Sequence, residues 1–252
     1  MLAKNVSKHL NKLQQKKYRR EYKEFVVEGV KGVDEALASA NEVLTLVVEG
    51  KRRDEPEFKT LITAAEAKGT AIMYCGRNDI DLIKSTETFP GILAVLAMPE
   101  IVLEDFLPGH IICLDRVQDP GNLGTIIRTA DWFGVKNILL SEESVDVYNP
   151  KTVRGTMGSI FHLQVFVSKN LVSSLKSLVE KKDYRVVSLE LGGQDISSLK
   201  VKEPTIFVFG SESHGLRPAL AELVEERYTI PGNGGAESLN LAIAAGILMS
   251  KL

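Results

Sequence analysis

Short, continuous apolar runs alternate with stretches whose apolar residues recur every three to four positions, and this alternation occurs in two blocks. In the first block EFVVEG (24–29), LTLVVEG (44–50), TAIMYCG (70–76) and GILAVLAM (91–98) are brief, rich in β-branched residues and closed by Gly or Pro, and so predict strands. GVDEALASA (32–40) and FKTLITAAEAKG (58–69) between them have helical spacing. Strands alternating with helices predict an αβα layer arrangement. The second block repeats the pattern: strand HIICLDRV (110–117), a helix from Leu123 to Phe133 closed by Gly134, strand KNILLSE (136–142), a helical stretch after Asn149 and Pro150, and strand HLQVFV (162–167). Helix 171–182, strands 184–191 and 205–210, helix 219–227, strand 228–232 and a final helix from Ser238 follow. This reads as a parallel α/β domain, whose ligands sit beyond the carboxyl ends of the strands.

Composition changes the picture in two places. The 252 residues carry a net charge of −2, yet residues 1–24 hold eight Lys and Arg against Glu21 and Glu24. A basic arm (1–24, with Lys16, Lys17, Arg19 and Arg20) on a mildly acidic body suits contact with a phosphate backbone, and equally a solvated terminal helix. The expected partition is the arm, a domain over 25–98, a linker over 99–109 and a second domain over 110–252. Cys75 and Cys113 lie far apart in apolar surroundings, which supplies neither a disulfide framework nor a metal-ligand spacing and suggests a reducing, cytoplasmic setting. The longest apolar run, Leu241 to Met249, is far shorter than a membrane span of about 20 residues, and no leader pattern opens the chain, so an unprocessed protein without a membrane partner is expected.

Three strand-to-helix loops could carry chemistry. In DRVQDPGNLGTIIR, Leu123, Ile126, Ile127 and Ala130 share one helical face, which is therefore core, and Arg128 points away from it. Pro120 and Gly121 make the turn, Asn122 can cap the helix, and Gly124 leaves space one turn before Arg128. Taken alone, this loop reads as an ordinary capped helix with an Arg128–Asp131 surface pair. The second, FVFGSESHGLRP, is bounded by Gly210 and Gly215 and carries Glu212 and His214. The third, YTIPGNGGAESLNLAIAAGILM, is a strand, a glycine-rich loop and an almost wholly apolar helix. A dinucleotide fingerprint fails there, because its third glycine position is Glu237 and no ribose-binding acid follows on a second strand.

In this order the three loops resemble the three motifs of the SpoU (TrmH-like) RNA 2′-O-ribose methyltransferases of the SPOUT superfamily. The carriers are N-x-G-x-x-x-R from Asn122 to Arg128, G-x-E-x-x-G from Gly210 to Gly215, and IP followed by SLN at Ser238 to Asn240; the third loop reads GNGGAE where many members place methionine and one glycine. NPKTVRGTMGSIFHLQV is similar to the family's segment between the first two motifs. The first block, opening KKYRREYKEFVVEG, resembles the ribosomal-protein-like substrate-binding domain often fused in front.

The resemblance implies a C-terminal parallel-sheet domain with a deep trefoil knot, which chain-topology rules alone would not suggest. It implies S-adenosylmethionine as cofactor at Gly210, Ile230, Pro231, Ser238 and Leu239, no metal, and a site completed in a homodimer. Arg128 would be the catalytic residue, also facing RNA, with Asn122, Glu212, Ser238 and Asn240 supporting it. The acceptor would be a ribose 2′-OH of structured RNA, with ribosomal RNA favoured over transfer RNA. A transfer-RNA methyltransferase, or a non-enzymatic RNA-binding or ribosome-assembly protein on the same fold, is the alternative.

Overall fold

The computed structural model describes residues 2–85, 87–201, 203–211 and 214–252. Two compact units emerge from the packing: residues 1–100 together with 146–161, and residues 101–145 together with 162–252.

In the first unit β1 (Glu24–Glu28), β2 (Val43–Glu49), β3 (Ala71–Cys75) and β4 (Ile92–Ala97) form a sheet in the order β1-β4-β2-β3. The sheet is mixed, since β2 and β3 run parallel while β4 is antiparallel to both β1 and β2. Side chains alternate across it. Val26, Val47, Leu93 and Val95 share one core with Leu10 and Leu13 near the N-terminus and Ile83 of α5 (Arg77–Ile83). The other face carries α3 (Val30–Ala38) and α4 (Pro56–Ala67), whose inward residues Val33, Ala36, Phe58, Leu61 and Ala65 are buried. The αβα layering is thus as the alternation implies.

The basic arm is different from its expected form. It folds as α1 (Lys4–Lys12) and α2 (Lys16–Tyr22), with Leu10 and Leu13 committed to the core, so it belongs to the first unit instead of preceding it. Arg19 is 1% exposed. Its Nε and Nη2 donate to Asp146 Oδ2 at 2.9 and 2.5 Å, and its Nη1 donates to the Leu13 carbonyl at 2.8 Å. Asp146 opens the stretch that the sequence partition places in the second domain. Tyr148 from the same stretch meets Phe25 with ring centroids 4.5 Å apart, and Arg154 of α7 (Pro150–Thr156) donates to Ser85 Oγ at 2.5 Å. A buried ion pair and an aromatic contact draw 146–161 into the first unit, an allegiance that no local pattern encodes.

The second unit holds a six-stranded parallel sheet in the order β10-β8-β9-β5-β6-β7. Its strands are β5 (Ile111–Leu114), β6 (Asn137–Ser141), β7 (Gln164–Ser168), β8 (Arg185–Asp195), β9 (Thr205–Phe209) and β10 (Glu226–Thr229). Strands buried on both faces read as unbroken apolar runs, which is why IICL, NILL and IFVF stood out. One face packs Ile111, Cys113, Val186, Ile206 and Val208 against Leu171, Leu175 and Leu178 of α8 (Leu171–Lys182). Three boundaries depart from expectation. The helix foreseen over 219–227 is only α9 (Pro218–Ala221), because residues from Glu226 onward pair with β8 as β10. The last helix, α10 (Leu241–Met249), starts at Leu241 and not Ser238, and α6 (Pro120–Trp132) starts at Pro120, three residues before Leu123. Burial pushes the Cys75 thiol up to about 11 and that of Cys113 higher still, so both act as small apolar groups. Among the described residues no helix is long and apolar enough to cross a membrane.

Candidate active site

The cap of α6 decides how the first motif is used. Asp119, not Asn122, is the N-cap: its Oδ1 accepts from the Asn122 backbone N–H at 2.8 Å, and Pro120 fills the first turn, where its missing N–H costs nothing. The Asn122 side chain is thereby released from capping, and its Oδ1 accepts from Asn240 Nδ2 at 2.9 Å, 118 residues further along the chain. Asn240 in turn caps α10, its Oδ1 accepting from Ala242 N at 2.9 Å and Ile243 N at 3.3 Å. One side-chain bond therefore ties the N-termini of two helices, and with them the first and third motifs. Further along the same pair, a Cβ added to Gly246 of α10 would sit 3.7 Å from Thr129 Cγ2 of α6.

The second motif is a tight backbone loop. Ser211 and Gly215 exchange backbone hydrogen bonds of 3.1 and 2.9 Å, and Gly215 adopts φ +62°. Gly210 is required sterically, since a Cβ there would lie 2.2 Å from the Gly215 carbonyl carbon. Glu212, an expected site residue, lies outside the described residues. A third wall comes from β8. Its pairing with β10 jumps from Ser188–Arg227 to Gln194–Tyr228, so Leu189 to Gly193 bulge out of register. Gly193 permits this, because a Cβ would lie 2.6 Å from the Tyr228 carbonyl carbon.

These elements enclose a cavity of about 730 Å³ at the carboxyl ends of β8, β9 and β10. Six expected residues line it: Asn122, Gly210, Ile230, Ser238, Leu239 and Asn240. Leu189, Leu191, Phe209 and Ala244 add apolar wall that the sequence reading missed; for the β8 bulge the paired Gly192 and Gly193 were the available signal. The volume is that of a small-molecule or cofactor site, and its lining mixes apolar side chains with the polar Asn122, Glu190, Ser211, Thr229, Ser238 and Asn240. Pro231 is not part of the wall and is exposed, as is the whole of 231–240.

Arg128 also stays out of the wall. It lies six residues, about 9 Å, along α6 from Asn122, on an exposed face that continues one turn later into Trp132, 84% exposed. Among the described residues it enters no surface ion pair; Asp131 accepts from Lys136 Nζ at 3.1 Å and meets His162 Nδ1 at 2.7 Å. Of the cationic candidates in the N-terminal helices, Lys16, Lys17 and Arg20 are exposed, whereas the ion pair described above removes Arg19 from any ligand-facing surface.

A buried ionic knot behind the loops escaped the sequence reading. Asp115, directly after β5, is 0% exposed and accepts from Arg217 Nε through both oxygens at 3.1 and 3.0 Å, and also from Arg217 Nη2. Arg217 further donates to Glu143 Oε1 at 3.1 Å, and Arg116 Nε lies 3.3 Å from Asp115 Oδ2. The hydrogen bonds to Asp115 hold the Arg217 guanidinium more firmly protonated than usual, and the bond from Arg217 keeps the Glu143 carboxyl below its ordinary range. Arg217 follows the Gly210–Gly215 loop by two residues, so this knot anchors the exit of the second motif to the entrance of the first.

The SpoU rRNA Methylase family matches residues 109–250 and the MRM3-like substrate binding domain matches residues 4–94. The chain is similar to the 23S rRNA (guanosine(2553)-2′-O)-methyltransferase RlmP of Bacillus subtilis, 34% identical, with 99% of this chain and 97% of that protein covered. Among solved structures it is similar to the AdoMet-bound rRNA methyltransferase from Sinorhizobium meliloti, with TM-score 0.86, 32% identity and coverage of 99% and 94%. The SpoU methyltransferase AviRb from Streptomyces viridochromogenes, in complex with the cofactor AdoMet, aligns with TM-score 0.89, 26% identity and coverage of 99% and 97%. A parallel-sheet domain whose three motif loops meet at one cavity, together with these matches over both units, places the protein: the chain belongs to the SpoU rRNA methylase family.

Proposed function

We infer that this protein transfers a methyl group from S-adenosylmethionine to a ribose 2′-OH of ribosomal RNA. The carrying observation is the convergence of three motif loops, distant in sequence, on one 730 Å³ cavity with the Asn122–Asn240 bond at its edge. The residues present suit the donor. Leu189, Leu191, Phe209 and Ile230 offer apolar contact for an adenine and a thioether chain, while the tight turn at Gly210 lets backbone groups approach closely. When bound there, S-adenosylmethionine supplies an electrophilic sulfonium methyl.

The remaining work falls to the chain's own residues. Asn122, Ser238 and Asn240 fix the loop geometry at the cavity's edge. Arg128, a guanidinium cation, orients an RNA phosphate or stabilises the oxyanion developing at O2′; positioning of this kind is worth roughly 7–11 kcal/mol of a transfer barrier. The 2′-OH is the group that separates RNA from DNA. Ribosomal RNA is favoured over transfer RNA by the names of the full-length relatives. A homodimer completes the site: Trp132, Phe133, Leu239 and Ile243 are 84, 41, 47 and 54% exposed beside Arg128 and the cavity, an apolar area suited to burial against a second copy. The knotted path of the C-terminal segment belongs to this reading, and the packing of α10 beside α6 is compatible with it. Incubation with tritium-methyl S-adenosylmethionine and ribosomal or transfer RNA tests it: label retained in ribosomal RNA as a 2′-O-methyl nucleotide is expected, and no incorporation into any RNA would reject it.

The N-terminal helices contribute phosphate contacts through Lys16, Lys17 and Arg20. Replacing these three by alanine should weaken RNA binding and lower the slope of log affinity against log salt by about 2–3, since roughly one counterion is released per phosphate neutralised. Arg19→Ala is expected to act differently, destabilising the fold by about 3–5 kcal/mol through the orphaned Asp146. An unchanged salt slope in the triple variant would reduce the exposed cations to a solvated surface.

A further inference from the structure

Arg116, directly after β5, holds a backbone conformation that its place in the fold does not ordinarily require. Four described residues other than glycine have positive φ: Lys23, Arg116, Met157 and Asp183. Three of them close helices, standing at the ends of α2, α7 and α8, where a left-handed residue is a common ending. Arg116, with φ +57°, follows a strand instead. A long side chain in the left-handed region is strained, and such a residue persists only where its surroundings hold it there.

The restraint comes from the end of β6. Ser141 Oγ accepts from the Arg116 N–H at 2.8 Å, Ser144 Oγ accepts from the Val117 N–H at 3.1 Å, and both serines are buried. Gln118 Nε2 braces the turn from outside, donating to the Arg116 carbonyl at 3.2 Å and to the Glu143 carbonyl at 2.9 Å. Held in this way, the guanidinium reaches across the gap between the ends of β5 and β9, and its Nη2 comes within 3.4 Å of the Gly215 carbonyl. The chain fills β6 and β7 on one side of β5 and then β8, β9 and β10 on the other, so this gap is the switch point beyond which open parallel sheets bind their ligands. Gly215 lines the donor cavity and Arg116 does not, which puts the guanidinium at the rim.

Little of this guanidinium is committed. Arg217 already holds the Asp115 carboxylate through both Nε and Nη2, whereas Arg116 reaches it only through Nε at 3.3 Å. The approach to Gly215 is at the long limit of a hydrogen bond. Nη1 has no hydrogen-bond partner among the described residues, and the side chain is 31% exposed. An arginine fixed at its backbone with its fork open suits an oxyanion that accepts two hydrogen bonds, as a phosphate does.

We propose that Arg116 positions the acceptor RNA, its guanidinium fork taking a phosphate of the strand laid across the rim of the donor cavity. This inference rests on RNA being the methyl acceptor. The donor's own carboxylate is the competing anion, and the place of Arg116 outside the cavity wall disfavours it. Arg128 is carried by α6, so two cations on separate elements fix the course of the strand as well as one point on it.

Arg116→Gly is the informative variant, because glycine adopts the same turn without strain and leaves Asp115 to Arg217. Its melting midpoint should stay within about 4 °C of wild type, and its S-adenosylmethionine affinity within about twofold. With ribosomal RNA transcribed in vitro as acceptor, KM for RNA should rise about 10–100-fold, the usual effect of losing a hydrogen bond to a charged group, while kcat changes by less than about threefold. The slope of log RNA affinity against log salt should fall by about 1. Arg116→Lys should recover the salt slope and only part of the KM, since an ammonium keeps the charge and loses the fork. Wild-type KM and salt slope in Arg116→Gly would overturn the proposal. So would a loss of donor affinity that matches the loss of transfer, which would assign the residue to the donor's carboxylate or to the shape of the Gly215 loop. Transfer by the wild type keeps the two readings apart: transfer that Arg116→Gly leaves unaltered rejects the role of Arg116 alone, and no transfer by the wild type rejects the methyltransferase reading and this one with it.

Discussion

Arg128→Ala is expected to lower methyl transfer by about 10²–10³-fold, the usual cost of removing one preorganised donor from a developing oxyanion, while S-adenosylmethionine affinity remains within about twofold of wild type. The split follows from geometry. Arg128 lies on the exposed face of α6, outside the cavity wall, so its loss should remove a contact to RNA or to the transition state and none to the donor. Arg128→Lys separates its two possible roles. A phosphate-orienting cation keeps part of its effect as a lysine, whereas planar, forked donation to a developing oxyanion does not survive the change. Calorimetry with S-adenosylmethionine and single-turnover transfer on the same preparations provide both readouts. Turnover within a factor of a few of wild type in Arg128→Ala would remove this residue from the mechanism.

The second large effect is expected at the ionic knot behind the loops. Asp115→Ala leaves the Arg217 guanidinium facing a desolvated gap, with only the half-exposed Glu143 in compensation. Breaking a buried pair in this way costs about 3–5 kcal/mol, which for a unit of this size lowers the melting midpoint by roughly 10 °C. S-adenosylmethionine binding should weaken in parallel, because Arg217 fixes the exit of the Gly210–Gly215 loop. An apolar replacement of both partners, Asp115→Leu with Arg217→Met, should restore most of the stability, since the desolvation cost of the pair disappears with it. Donor affinity should not return to the same extent if the knot sets loop position. A double variant as unstable as Asp115→Ala, or wild-type donor affinity in the single variant, would show that the knot does something other than anchor these loops. Differential scanning calorimetry and donor titration decide between these outcomes.

The two predictions meet at one structural point. α6 is positioned from its N-terminus, where Asp119 caps it and Asn122 is bonded to Asn240, and Asp115 directly follows the strand before it. α6 therefore carries both the cavity's edge and the exposed arginine, and the segment leading into it carries the anchor of the second motif. A small displacement of this helix reaches the cavity's edge and the exposed arginine together.

What the sequence by itself determined about this protein is whatever depends on neighbouring residues. Short unbroken apolar runs such as IICL and IFVF, bounded by turn residues, read as strands covered on both faces, and 3.6-residue periodicity fixed which face of 123–130 is core. The three strand-to-helix loops and the two-part α/β organisation followed from the same kind of signal, and the resemblance carried by those loops implied six of the cavity-lining residues. Tertiary structure alone decided the rest, because the deciding partners are far apart in the chain. Arg19 and Lys17 look alike in a basic run, but Asp146, 127 residues on, buries the former and leaves the latter in solvent. Asn122 is an acceptable cap by type, yet Asp119 takes that role and frees it for Asn240. Residues 146–161 join the first unit, and Asp115 meets Arg217 across 102 positions, through ion pairs to which periodicity is blind. Charge and hydrogen-bonding capacity are written in each residue, but which partner satisfies them is settled only when the chain has folded.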